Sequence, residues 1–167
     1  MEFRFNDTIP SEKHYRQLSK LLDLEQKKEE LKITMTYYVD KTLQMEAIAT
    51  EMLGQQFNDA TGKDYLKNDT DYKAYLVNKI GNDSLSTVDM VREISKAMPI
   101  DSLATVKSNN LIKTVADYLK MEYPATIIKT LKAKSEAPEN TGAYPKFLIT
   151  YGLLDEENNT TAIITEQ

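Results

Sequence analysis

The stretch from residue 31 to residue 39 constrains the fold most, because two incompatible periodicities overlap there. Its apolar side chains stand at every second position: Leu31, Ile33, Met35, Tyr37 and Val39. A period of two, built from β-branched and aromatic residues, is typical of a strand. Apolar residues at helical spacing from Leu21 to Met52 would instead require one helix of about forty residues, which is long for a compact domain. We therefore predict a strand, followed by Asp40 as the N-cap of a helix that runs to about Leu53.

The rest of the interior shows helical patterns with start and stop signals. Ser11 begins an amphipathic helix that runs to about residue 30. Asp69 caps a further helix that Gly81 ends, and Ser86 opens another through a capping box. Weaker signals predict a short helix at residue 101, one from residue 109 or 110, and one over 125–134. Polar, turn-rich sequence predicts loops at 54–67 and 135–145.

Both ends of the chain have strand patterns. Met1, Phe3 and Phe5 alternate with charged residues. The apolar run 146–154, the polar turn 155–159 and the β-branched run 160–165 together predict a C-terminal β-hairpin over 146–165. We therefore predict an α+β, predominantly helical fold, with a helical core and a small antiparallel sheet formed by N-terminal and C-terminal strands. The 167 residues suit a single domain, 1–167, with residues 1–10 as an extended arm.

The chain contains few of the residue types that enzyme active sites commonly use. The absence of cysteine excludes disulfides, thiolate metal sites and thiol catalysis. The single histidine, His14, lies in a charged first helical turn, whereas a hydrolase triad needs a histidine between a nucleophile and a carboxylate. We predict no enzyme activity, no catalytic residue, no metal site and no cofactor.

Two partial motifs fail on their spacing. Gly54 and the next Gly-Lys pair are separated by seven residues where a Walker loop has four, and Asp64 stands where that loop has Ser or Thr. Asp69 and Asp71 resemble the start of a calcium loop, but the required Gly and bidentate Glu are missing at its sixth and twelfth positions. Helix capping accounts better for these aspartates.

A lysine-rich region gives a weak nucleic-acid signal. Residues 107–134 carry six lysines against two acidic residues. The candidate contact residues are Lys113, Lys120, Lys129 and Lys132. They spread over two or three predicted helices, and no arginine, the usual base-reading residue, accompanies them. Because the net charge is −5, a solvated surface is the better interpretation, and nucleic-acid binding ranks third among the functional hypotheses.

Ten tyrosines provide the stronger interaction signal. Tyrosine offers a large contact area with a polar tip and is enriched at protein interfaces, although it is also common at the rim of a core. The candidate contact elements are the terminal strands and the Tyr-Tyr pair of the 31–39 segment. Their candidate partner-binding residues are Phe3, Phe5, Tyr37, Tyr38, Tyr151 and Ile163.

These observations favour a non-enzymatic interaction or assembly protein that binds protein partners or copies of itself, such as a subunit of a phage virion. The alternative is a small phage- or mobile-element-type regulator or inhibitor of a host macromolecule. The N-terminal sequence lacks the apolar region of a secretory signal, and no apolar run reaches the ~20 residues of a membrane span. We therefore expect a cytoplasmic protein without membrane contact, in the host cytoplasm or the virion if it is phage-encoded.

Overall fold

The computed structural model describes residues 1–139 and 141–154, which form five helices and one small sheet. The helices are α1 (Glu12–Lys27), α2 (Lys41–Thr61), α3 (Asp69–Ile80), α4 (Thr87–Ser95) and α5 (Ile100–Glu122). The strands are β1 (Leu31–Tyr38), β2 (Lys129–Lys132) and β3 (Lys146–Leu153). The predicted α+β, predominantly helical class is confirmed.

The backbone divides into two compact units, and each is described by itself. The helical unit comprises Asp40–Ser108, whereas the sheet unit combines Met1–Val39 with the chain from Asn109 onward. The helices predicted near residue 101 and from residue 109 are one continuous helix, α5, which begins in the helical unit and ends in the sheet unit. The single-domain organisation stays a prediction.

The sheet has the strand order β2-β1-β3, with the predicted 31–39 strand at its centre. β3 runs antiparallel to β1 and places Phe147 opposite Tyr37, whereas β2 runs parallel to β1 and places Lys129 opposite Thr34. The sheet is therefore mixed rather than wholly antiparallel. The predicted helix over 125–134 is wrong, because its last part is β2. The second arm of the predicted 146–165 hairpin lies outside the described residues.

The N-terminal segment runs beside β3 and forms less of a strand than its alternation predicts. The Phe3 N–H donates to the Pro145 carbonyl at 2.8 Å, and the Phe147 N–H donates to the Met1 carbonyl at 2.9 Å. Within the described residues, the only strand-type pairing of this segment is an isolated antiparallel bridge between Glu2 and Lys146. The predicted arm of residues 1–10 is thus tied to the sheet at its beginning.

His14 connects this N-terminal segment to α1. The His14 Nδ1 atom lies 3.1 Å from the Ser11 backbone nitrogen, which can only donate, so Nδ1 accepts and Nε2 carries the proton. Nε2 then donates to the Glu2 carbonyl at 2.7 Å. The imidazole also packs against the Phe3 ring, with 4.1 Å between centroids. The single histidine of the chain therefore has a structural role.

The side chains on one face of the sheet form part of the core of the sheet unit. Along β1, every second side chain from residue 33 to residue 37 is buried, as the alternating sequence predicts. The other buried apolar side chains come mainly from α1, α5 and β3: Leu18, Leu21, Leu22, Leu111, Val115, Leu119 and Phe147. The alternation of residues 31–39 thus gave both the element type and its buried face.

The helical unit has a core of its own, and local signals set its helix ends. Asp40 accepts a hydrogen bond from the Leu43 N–H at 3.0 Å, and the Ser86 hydroxyl accepts one from the Asp89 N–H at 3.1 Å. Gly81 ends α3 in the left-handed region, with φ of 73°. These three predicted caps are confirmed. The predicted Asp69 cap is wrong, because Asp69 is the first residue of α3 and Asn68 stands at the N-cap position. The core residues are Ile48, Ala49, Leu53, Phe57, Tyr72, Leu76, Met90, Val91, Ile100 and Ala104.

α2 is longer than predicted, because it continues through Gly54 to Thr61. The loop predicted from residue 54 is therefore wrong over its first half. An added Cβ at Gly54 would lie 2.6 Å from the nearest ring carbons of Tyr65, closer than side chains approach one another. The glycine serves close packing of the Tyr65 ring against α2.

Tyr72 carries a buried hydroxyl that has no hydrogen-bond partner among the described residues. An unsatisfied buried polar group costs about 1–3 kcal/mol, whereas its removal without a change of shape can stabilise. We therefore expect Tyr72→Phe to raise the free energy of unfolding by about 1 kcal/mol, measured by urea denaturation. Tyr75→Phe, at a partly exposed neighbour, is the matched control and should change little. A clear loss of stability in Tyr72→Phe would show that the hydroxyl has a partner.

The same tyrosine gives the fold a dependence on alkaline pH. Burial, reinforced by the neighbouring Tyr65 and Tyr75, raises the pKa of Tyr72 from 10.0 to about 12. Because the raised pKa favours the neutral phenol in the folded state, the neutral Tyr72 phenol contributes stability below pH 10. That stability is lost as the pH rises from 10 towards 12. Tyr72→Phe should lose less stability than the unmodified protein over that interval.

Candidate interaction edge

The structure places the predicted contact residues of the first half of the chain mostly within packed regions. Phe3 and Tyr37 are 4% and 2% exposed in the core of the sheet unit, so a partner does not reach them in the folded chain. Phe5 packs against the Tyr144 ring at 5.7 Å between centroids. Tyr38 is half-buried and, as the neighbour of Tyr37 on β1, faces the other side of the sheet.

The two predicted contact residues near the C-terminus have different outcomes. Tyr151 lies on β3 and is 56% exposed. Ile163 lies outside the described residues. Of the six predicted contact residues, Tyr151 is therefore the one whose described environment leaves most of a large side chain accessible.

The four lysines of the nucleic-acid hypothesis do not share one face. Lys129 and Lys132 are three positions apart on β2, so their side chains leave the sheet on opposite faces. Lys113 pairs with Asp117 on α5, and the Lys120 ammonium donates to a backbone carbonyl in the loop before β2 at 2.5 Å. These lysines do not converge on one basic surface, as a phosphate-binding site requires.

The backbone of β3 has one edge that faces away from β1, and the N-terminal segment covers only its beginning. Phe147 directs its N–H and carbonyl to this edge, where both are paired with Met1. Because the direction of these groups alternates along a strand, Ile149, Tyr151 and Leu153 direct theirs to the same edge. No described residue pairs with this second part. We call the backbone edge from Ile149 to Leu153 the β3 edge.

The side chains along the β3 edge carry no charge. Tyr151 and Leu153 are 56% and 54% exposed, and Leu154 beyond them is also exposed. An uncharged strand edge with exposed apolar side chains is a template for pairing with another strand. Natural proteins usually guard such edges with lysine, proline or a bulge, and none of these lies between Ile149 and Leu153.

The opposite edge of the sheet shows the usual protection. β2 is only four residues long and carries Lys129 and Lys132. Short edge strands with lysine resist pairing, because another strand must cover or repel the charges. Leu131 is 48% exposed there, but lysines flank it at two positions. Within residues 1–139 and 141–154, the two edges of the sheet therefore differ: lysines protect β2, whereas nothing of this kind protects β3 from Ile149 to Leu153.

A surface depression lies at the end of the β3 edge. It has a volume of about 510 Å³ and is lined by Lys28, Glu29, Glu30, Leu31 and Leu153. The strand and the α1–β1 turn meet there, since the Leu154 N–H donates to the Glu30 carbonyl at 3.0 Å. Its lining combines apolar side chains with charges of both signs, so it can receive a side chain from a segment that pairs with the β3 edge.

The sheet unit contains a buried carboxylate, Glu25, that joins two of its segments. Glu25 of α1 accepts hydrogen bonds from the Thr126 hydroxyl at 2.6 Å and the Ile127 N–H at 2.7 Å. Both donors lie in the loop between α5 and β2, so this carboxylate ties the loop to α1.

Over residues 1–139 and 141–154, no three His, Cys, Asp or Glu side chains group as metal ligands. No helix in those ranges is long and apolar enough to cross a membrane.

No family model matches the sequence, and comparisons with curated proteins and with solved structures give no match either. The candidate site therefore stands on its own geometry. Of the residues at this candidate edge, the sequence analysis proposed Tyr151 but not Leu153, Leu154 or the backbone beside them. The available signal was the uncharged run from Phe147 to Leu154, which contrasts with the lysines on both sides of Leu131.

Proposed function

We propose that this chain is a non-enzymatic protein–protein interaction or assembly component that binds an extended segment of its partner at the β3 edge. The observation that carries the proposal is the contrast between the lysine-bearing β2 edge and the uncharged β3 edge, which is unpaired among the described residues. Strand addition is a recurrent mode of recognition, in which main-chain hydrogen bonds provide affinity and alternate side chains provide specificity.

The β3 edge can supply both contributions. Ile149, Tyr151 and Leu153 each direct one N–H and one carbonyl outward, as inferred from their register with Phe147. A partner strand would pair with these groups and place alternate side chains beside Tyr151 and Leu153. At the far end, one partner side chain would enter the depression next to Leu153. This surface suits an uncharged extended segment better than a preformed helix.

Tyr151→Lys tests the proposed function, because a lysine introduces on β3 the protection that β2 already has. We expect the tagged variant to retain its partner from cells that express the protein naturally at least about tenfold less than the unmodified chain does. The readout is quantitative mass spectrometry of the captured proteins, with sedimentation velocity to detect self-association.

Leu131→Lys provides the matched control, since it adds the same charge at a similarly exposed leucine on the other edge. Both variants should unfold within about 0.5 kcal/mol of the unmodified chain, as expected for surface substitutions. The proposal fails if the chain stays monomeric without a captured partner. It also fails if Tyr151→Lys and Leu131→Lys retain the partner equally.

A further inference from the structure

We propose that the outer face of α1 is a docking surface for an acidic helix of another protein. Three lysines lie on this face at intervals of seven residues, Lys13, Lys20 and Lys27, and Arg16 lies beside them. We call these four residues the basic stripe. The stripe belongs to a different element from the β3 edge, so the two proposals can be tested separately.

Helix geometry places the four cationic side chains on one narrow face. An interval of seven residues turns the side-chain direction by only about 20°, so the three lysines stay aligned, and Arg16 falls within about 60° of each. The stripe is about 21 Å long at 1.5 Å per residue. All four cations are exposed. The opposite side of the helix carries its buried residues, Leu18, Leu21, Leu22 and Glu25.

The three lysines of the stripe have no ion pair or side-chain hydrogen bond within residues 1–139 and 141–154. On α4 and α5, by contrast, exposed lysines pair with a carboxylate three or four positions away on the same helix or just beyond its end. Asp23 lies within that interval of both Lys20 and Lys27, yet neither lysine pairs with it. Among the described residues, nothing therefore neutralises these three charges.

Arg16 makes the one ion pair of the stripe, with Glu12 at 3.2 Å. Both side chains are more than three quarters exposed, and a surface pair of this kind contributes little stability. The guanidinium can therefore exchange this partner for a carboxylate of another protein.

The interval between the lysines selects the kind of partner. Along α1 they are about 10.5 Å apart, which is the rise of seven helical residues. A partner helix with a carboxylate at every seventh position repeats the same distance along one of its faces. In an extended segment, side chains on one face repeat about every 6.5 Å, so their carboxylates do not match the lysines. The stripe therefore suits an acidic helix better than an acidic strand.

The acidic residues beside the stripe favour a protein over a nucleic acid. Glu12 and Asp23 border the stripe on the same side, where they would repel a continuous phosphate backbone. Single-stranded nucleic acids are also bound by aromatic stacking, and no aromatic residue of α1 lies among the four cations. A helix with separate carboxylates can place them against the lysines and away from these two acids.

NMR titration of the ¹⁵N-labelled full-length chain tests the proposal. The probe is a helical peptide of about 20 residues, long enough to span the stripe, with three glutamates seven positions apart among alanine and glutamine. We expect it to shift the amide signals of residues 13–27. Its Kd should rise at least about fivefold between about 0.01 M and about 0.15 M salt, because exposed charges are screened.

A second peptide of the same composition, with its glutamates on different faces, measures the contribution of the spacing. It should bind about tenfold more weakly, the combined effect of three exposed ion pairs of ordinary strength. The triple variant Lys13→Gln, Lys20→Gln, Lys27→Gln should bind both peptides equally weakly.

The matched control is the triple variant Lys67→Gln, Lys73→Gln, Lys134→Gln, which removes the same charge from exposed lysines outside α1. It should bind like the unmodified chain, and both variants should keep the same urea midpoint. Equal binding of the two peptides by the unmodified chain would overturn the proposal. So would tighter binding of single-stranded DNA of equal charge, which would assign the stripe to nucleic acid. Shifts of residues 13–27 that depend on protein concentration without peptide would assign it to a second copy and also overturn the proposal.

Discussion

Replacing Glu25 with alanine is expected to lower the free energy of unfolding by about 3 kcal/mol, the largest effect of any substitution considered. The carboxylate accepts two short hydrogen bonds, from the Thr126 hydroxyl and the Ile127 N–H. Hydrogen bonds to a charged group contribute about 1.5–3 kcal/mol each, and relief from burying the charge offsets part of that loss. Urea denaturation measures the change, with hydrogen exchange along β2 to locate it.

Two further variants show whether the hydrogen bonds or the side-chain volume causes the loss. Glu25→Gln keeps the volume but presents an amide N–H₂ to one of the two donors, so we expect roughly half of the effect. Glu29→Ala removes an exposed carboxylate just after α1 and should change stability by less than about 0.5 kcal/mol. A Glu25→Ala protein as stable as the unmodified chain would contradict the proposed role of this network.

Gly54→Ala is expected to destabilise the helical unit by about 1–2 kcal/mol, although alanine is the better helix former. Helix propensity alone favours alanine by about 1 kcal/mol at an interior position. The new methyl group, however, would lie 2.6 Å from the Tyr65 ring carbons, and overpacking of this kind costs about 1–3 kcal/mol. The change in the urea midpoint at constant slope measures the balance.

A double-mutant cycle with Tyr65→Ala separates the two effects. Once the ring is removed, only the helix propensity remains, so Gly54→Ala should then stabilise the protein by up to about 1 kcal/mol. If Gly54→Ala destabilises equally in both backgrounds, the contact with Tyr65 is not the cause.

Sequence reasoning succeeded where the deciding information is local. Asp40, Gly81 and Ser86 define helix ends through contacts within a few residues, and all three were predicted. The 31–39 strand was predicted because burial on one face repeats every second residue, whatever its neighbours are. The first part of the 54–67 segment failed because its exposed helical residues are polar, which resembles a loop in composition.

The errors in the sheet have a different cause. Residues 129–132 have the composition of an exposed helix. They form β2 because they pair in parallel with β1. Propensity is weak enough for such a tertiary contact to override it. The β3 edge likewise combines a feature that local sequence indicates with one that depends on tertiary contacts. Tyr151 could be proposed from composition. Which part of the β3 backbone the N-terminal segment covers depends on how far that segment reaches along β3, and no local pattern encodes this reach.

The placement of β1 at the centre of the sheet also sets an order of events during synthesis. About 90 residues separate Tyr38 from Lys129, and β3 follows later still. Synthesis proceeds at about 5–20 residues per second, so β1 has no strand partner on either side for roughly 5–20 s after it is made. The helices of Asp40–Ser108 are contiguous in sequence and rich in local contacts, so they can fold within that interval. The nascent chain therefore contains an apolar strand whose partners are not yet synthesised, during an interval in which the helical unit can already fold.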